Sequence, residues 1–130
     1  MKILFTLAII AVGVYFLYAK STQAGGNNMS VIDLQAAINQ EENLLVLDVR
    51  TLGEWDEGHI KGAKHIPIAD LGQRLEELTN FKGTKIAVIC RSGTRSAKAS
   101  AFLVEQGFTD IQNIPGGMME WEKRKFPSEK

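Results

Sequence analysis

The chemistry of this chain centres on Cys90, its single cysteine. It ends the apolar run Lys85-Ile86-Ala87-Val88-Ile89 and precedes Arg91-Ser92-Gly93-Thr94-Arg95-Ser96. Where an apolar strand stops and a short loop opens a helix, an open α/β sheet binds its ligands. Gly93 permits backbone geometry that turns several N–H groups inward, and the following helix adds its partial positive end. Such a nest stabilises an anion. A thiol there, with arginines on either side of the loop, has its ionised form favoured and becomes a nucleophile. A lone thiol is more often inert and buried, but an inert thiol has no use for two arginines within five residues.

The rest of the composition narrows the chemistry further. One cysteine excludes an internal disulfide and a Cys-rich zinc cage. Two histidines are few for a metal site, and neither metal nor cofactor is expected. With 15 Lys+Arg against 15 Asp+Glu the chain has no excess positive charge for general nucleic-acid binding. At 130 residues and 45% hydrophobic it suits one compact domain, expected to be a monomer.

Residues 1–24 differ from the remainder. Residues 3–19 are apolar except for Thr6 and Gly13, with Lys2 before them and Lys20 after. Two readings stay open. One is a cleaved signal peptide, with small residues in Ser21-Thr22-Gln23-Ala24 where a peptidase would cut. The other is a membrane anchor: seventeen residues span about 26 Å, the short limit for a bilayer core. Tyr15, Phe16 and Tyr18 would then form an interfacial belt. Either sends the domain to a bacterial periplasm or envelope, whereas a start at Met29 would leave it in the cytosol. Without this segment the chain carries 13 basic and 15 acidic side chains, net −2. Residues 25–29 read as a polar linker, and the domain as 30–127.

Within the domain the spacing predicts alternating helices and strands. Ser30 with Asp33 has capping-box spacing before a helix carrying Val31, Leu34, Ala37 and Ile38. Leu44-Leu45-Val46-Leu47 reads as a buried strand ending at Asp48-Val49-Arg50. A short helix at 51–57, a strand at 63–66 and a helix at 70–78 follow. Then come a strand at 85–90, a loop at 91–94 and a helix at 95–106. A strand at 109–114, a turn at 115–117 and a helix at 118–125 complete the chain. This alternation implies an α/β fold with a mostly parallel sheet covered on both faces.

Four segments together resemble the single-domain rhodaneses, the thiosulfate sulfurtransferases. Cys90-Arg91-Ser92-Gly93-Thr94-Arg95-Ser96 resembles their active-site loop. Leu47-Asp48-Val49-Arg50, with Glu54-Trp55 and the run from Gly58-His59-Ile60 to Pro67, resembles their first signature. Gly107-Phe108 resembles the usual end of the active-site helix, and Gly116-Gly117-Met118-Met119-Glu120-Trp121 their C-terminal motif. The resemblance covers about residues 30–127 and implies a five-stranded, mostly parallel sheet with helices on both faces.

The resemblance also implies a reaction. Cys90 would take the outer sulfur of thiosulfate, hold it as a persulfide, and pass it to cyanide or a thiol. Arg91 and Arg95 would draw in the doubly charged donor. Ser92, Gly93, Thr94 and Ser96 would complete the substrate-binding loop. Two arginines, with no small neutral residue directly after the cysteine, favour thiosulfate over mercaptopyruvate. Related phosphatases place an arginine six positions after the cysteine, where this chain has Ser96, so phosphatase activity is not expected. A persulfide carrier, a redox sensor and a non-catalytic binding module are the alternatives. Asp48 and Arg50 are expected to form a structural ion pair near the site. His59, His65, Trp55 and Trp121 are read as scaffold, and Glu54 and Glu57 as solvated or paired with nearby cations.

Overall fold

The computed structural model describes residues 25–130. The export or anchor segment read at 1–24 lies outside the described residues. Among them, no helix is long and apolar enough to cross a membrane.

The strands are β1 (Asn27–Asn28), β2 (Leu44–Asp48), β3 (Lys64–His65), β4 (Lys85–Ile89) and β5 (Ile111–Asn113). The helices are α1 (Val31–Asn39), α2 (Leu52–Glu57), α3 (Thr94–Glu105) and α4 (Gly117–Lys123). The sheet order is β1-β5-β4-β2-β3, and every pair is parallel. The five-stranded α/β architecture is therefore as expected. The chain moves from β2 to β3 on one side, then returns to place β4 on the other. The C-terminal ends of β2 and β4 thus form the switch point at which open α/β sheets hold their ligands.

Side-chain alternation along β4 divides the core. Ala87 and Ile89 join Val31, Leu34, Ile114, Met118 and Trp121 on the face covered by α1 and α4. Ile86, Val88 and Cys90 point to the opposite face, where they join Leu78 and, from α3, Ala99 and Leu103. The two-residue period of a strand thereby aims Cys90 at α3 before any loop geometry is considered.

Three elements differ from expectation. Asn27 and Asn28, read as linker, form an edge strand against Gln112 and Asn113, and Met29 N–H donates to Asn113 O at 2.9 Å. Two exposed polar residues paired only through their main chain leave no hydrophobic pattern to read. The helix expected at 70–78 is instead two 3₁₀ segments, Ile68–Asp70 and Leu75–Phe81. Leu71 and Leu78 are still buried; Pro67 before the segment and Gly72 within it weaken a regular α-helix. β5 is shorter than the strand expected at 109–114, and β4 ends at Ile89, leaving Cys90 as the first residue of the loop.

α4 holds that loop from behind. Gly117 has φ 49°, and a Cβ there would run into Cys90 O and come within 2.7 Å of Arg91 O. With glycine in place, Met118 N–H reaches Cys90 O at 2.8 Å, Met119 N–H reaches Arg91 O at 3.0 Å, and Gly116 N–H reaches Ser92 O at 3.2 Å. The loop carbonyls are tied to the N-terminus of α4, which has donors to spare. Gly117→Ala meets both the positive φ and the backbone contact, so a loss of about 1–3 kcal/mol is expected. Urea unfolding of the two proteins measures it, and an unchanged midpoint would show that α4 does not depend on this close approach.

Candidate active site

With its carbonyls drawn back, the loop offers its amides to Cys90. Gly93 N–H donates to Cys90 Sγ at 3.1 Å and Ser96 N–H at 3.3 Å. Gly93, at φ 105°, forms the N-cap of α3 without a side chain, and a Cβ there would lie 3.2 Å from Pro115 Cα. Cys90 Sγ also lies 3.3 Å from Ser96 Oγ. The thiol donates to the hydroxyl; once ionised, it accepts the hydroxyl proton's hydrogen bond instead. Burial pushes the Cys90 thiol up. The Ser96 hydroxyl and the amides of Ser96, Gly93 and Ser92 outweigh burial, and the thiol lies below its ordinary value. Cys90 and Ser96 are both fully buried.

The loop cations take different roles. Arg91 is exposed, and among the described residues its side chain has no hydrogen bond or ion pair. Arg95, expected with Arg91 to draw in the donor, is held by Glu54. Arg95 Nη1 donates to Glu54 Oε1 at 2.7 Å and Nη2 to Oε2 at 2.8 Å, a two-pronged bond that joins α3 to α2. Glu54 is the residue whose place in the site the sequence did not reveal. Its partner lies 41 positions away. Its spacing from Thr51 signals only the capping box that it also forms, with Glu54 N–H donating to Thr51 Oγ1 and Thr51 N–H to Glu54 Oε1. The Arg95 hydrogen bond holds the Glu54 carboxyl down at about 2; burial, the next-largest effect, opposes it, and the Thr51 amide and hydroxyl assist Arg95. Ser92 and Thr94 are exposed at the loop's rim.

Asp48 and Arg50 form the expected ion pair at the end of β2. Arg50 Nη2 donates to Asp48 Oδ2 at 2.8 Å and Nε to Oδ1 at 3.0 Å. The guanidinium also donates to Glu54 O at 3.2 Å and to Gly58 O at 2.8 Å, fastening α2 at its middle and at its C-cap. His65 Nε2–H donates to Arg50 O at 2.7 Å, and Trp55 stacks between His59 and His65, with ring centroids 3.6 and 4.7 Å apart. These aromatic groups brace the corner that carries Glu54. Trp121 is buried behind the loop and donates to Pro127 O at 3.0 Å.

Asp48→Ala leaves the Arg50 charge buried without its carboxylate, which costs about 3–5 kcal/mol; a thermal denaturation scan showing less than about 1 kcal/mol would remove the pair from the scaffold. The depressed Cys90 pKa means that thiolate forms at a lower pH than in an ordinary thiol, so its ultraviolet absorbance should appear on the acid side of the usual thiol range. Ser96→Ala removes a donor to the anion and should move that titration upward. Coincident curves would exclude Ser96 as a stabiliser of the thiolate.

Residues 30–124 match the Rhodanese-like domain family. YtwF of Bacillus subtilis (strain 168), provisionally named a sulfurtransferase, is 39% identical over 76% of this chain and 93% of its own length. YrkF of the same organism, provisionally named a sulfur carrier protein, is 34% identical over 82% of this chain. The chain spans 60% of YrkF's length. The crystal structure of a rhodanese-related protein from Thermoplasma volcanium superposes with a TM-score of 0.71 at 33% identity, over 79% of this chain and 97% of that one. The family's chemistry, sulfur transfer or sulfur carriage between a donor and an acceptor, accords with a thiol placed where a sulfur anion is stabilised. The chain belongs to the rhodanese-like family of sulfurtransferases and sulfur carriers.

Proposed function

We propose that this protein is a thiosulfate sulfurtransferase working through a Cys90 persulfide. The observation that carries the reading is the set of donors around Cys90 Sγ: Gly93 N–H at 3.1 Å, Ser96 N–H at 3.3 Å and the Ser96 hydroxyl at 3.3 Å. These groups suit a sulfur anion before and after transfer.

In the first half-reaction the Cys90 thiolate attacks the outer sulfur of thiosulfate. A bond forms between Cys90 Sγ and that sulfur, the sulfur–sulfur bond of thiosulfate breaks, and its electron pair leaves with sulfite. The negative charge now resides on the terminal persulfide sulfur. The inward amides stay preorganised around Cys90 Sγ, and the partial positive end of α3 favours the new anion beside it. In the second half-reaction cyanide or a thiolate attacks the terminal sulfur. Thiocyanate or a new persulfide departs, and the pair from the broken sulfur–sulfur bond restores the Cys90 thiolate. No proton needs to be removed from an ionised thiol, so the mechanism assigns no base to His59 or His65.

Thiosulfate is favoured as donor by exposed Arg91, adjacent to Cys90, and by the α3 N-terminus. A sulfur carrier would form the same persulfide but turn over only with a specific acceptor. Thiosulfate should add one sulfur atom to the intact protein and release one equivalent of sulfite. Cyanide should remove the sulfur, and Cys90→Ser should gain none. Mass spectrometry with a sulfite assay reads both steps. No added sulfur and no sulfite would overturn thiosulfate as donor, whereas loading without turnover on cyanide or small thiols would assign the carrier function.

A further inference from the structure

Arg95 is the loop cation nearest to the ring of donors in sequence, lying between Gly93 and Ser96, whose amides bind Cys90 Sγ. Yet both of its forward nitrogens are committed to Glu54, at 2.7 and 2.8 Å. The Glu54 carboxylate raises the Arg95 guanidinium above its ordinary value, ahead of any other group. The pair is only partly covered: the Arg95 side chain is 33% exposed and that of Glu54 22%. Glu54 is fixed in turn by Thr51, whose N–H and hydroxyl both donate to Oε1 at 3.2 and 3.0 Å. A structural account of the bridge asks only that α2 and α3 be held together. The Asp48–Arg50 pair already fastens α2 at Glu54 O and Gly58 O.

We propose that Glu54 is a specificity-determining residue: by occupying Arg95 it cancels that cation's charge beside Cys90 and sets how strongly the site prefers anionic over neutral reactants. The pair carries no net charge, so attraction of an anion is left to Arg91 and the α3 N-terminus. A doubly charged donor such as thiosulfate competes for Arg95 against a carboxylate already in place. A singly charged reactant loses less than a doubly charged one, and a neutral reactant loses nothing. The chain thus tempers its affinity for the donor, which leaves the second half-reaction less hindered by a tightly held anion. The inference deepens the sulfurtransferase reading and rests on Cys90 as the reacting group, but it does not require thiosulfate to be the donor.

The test compares alkylation of Cys90 by iodoacetate, an anion, with alkylation by neutral iodoacetamide. In both, the thiolate sulfur bonds to carbon and iodide leaves. Glu54→Gln keeps the length of the side chain and its capping oxygen while releasing Arg95 with its charge. The ratio of iodoacetate to iodoacetamide rates should rise ~three- to tenfold at low salt. The gain should shrink as added salt screens charges over about 10 Å. Arg95→Gln should lower the ratio, and the double variant, again without net charge at the pair, should return to the parent value. A loosened loop would change both rates together and leave the ratio alone. An unchanged ratio in Glu54→Gln overturns the proposal even where thiosulfate loads Cys90. A raised ratio in a protein that thiosulfate does not load supports the role of Glu54 while rejecting that donor. Failure of both reagents to reach Cys90 in every variant overturns both readings.

Discussion

A sulfur anion inside a protein core is costly unless donors are fixed around it. Here they are backbone amides, and an amide can point inward only if the carbonyls of the same loop have somewhere else to go. That requirement organises the molecule around Cys90. The carbonyls of Cys90, Arg91 and Ser92 are taken up by Met118, Met119 and Gly116 at the start of α4. Gly93 turns the chain through a positive φ so that its own N–H faces the sulfur. The loop is therefore bonded on both sides, outward through oxygen and inward through nitrogen. Its preorganisation is a consequence of α4 docking rather than of the loop sequence alone.

The docking depends on the two faces of the sheet. α4 is held in place by Met118 and Trp121, buried with Ala87, Ile89 and Ile114 on one face. Cys90 projects to the other face, beneath α3, because strand parity sends Ile86, Val88 and Cys90 the same way. Cys90 and the helix that shapes its loop thus lie on opposite sides of one layer. They are connected through the few backbone atoms that emerge from β4. Changing packing on the α4 face would reach the sulfur through Cys90 O and Arg91 O without touching Cys90's own neighbours.

Much of this was legible in sequence where the signal was local. The apolar run of β4, the cysteine at its end, Gly93, and the glycine pair before Met118 each carry a pattern that a single segment can display. The Asp48–Arg50 pair was legible too, because its partners are two residues apart at the end of a strand. What escaped was long-range or purely main-chain. β1 pairs through backbone alone with polar Asn27 and Asn28, so no periodicity marks it. The 3₁₀ segments keep Leu71 and Leu78 buried, as a helix would, so the apolar spacing did not separate the two. Arg95 could be read as a loop cation but not as one already paired, since Glu54 lies on an element whose position only the fold decides.

That last point bears on how charge near a reactive cysteine should be counted. Two arginines in a short loop suggest a strongly attractive site when summed as isolated cations. Ion-pairing one of them to a carboxylate that stays ionised at any physiological pH leaves one unpaired arginine in the loop, Arg91. The thiolate itself is stabilised at short range by hydrogen bonds, which act over about 3 Å and do not depend on net charge. The attraction of a diffusing anion depends on net charge over a much longer distance. The two properties are set by different residues: the first by Ser96, Gly93 and the α4 clamp, the second by the balance of Arg91, Arg95 and Glu54. A site built this way can favour the thiolate form of its cysteine while varying, through one acidic residue on a neighbouring helix, the charge met by an approaching reactant.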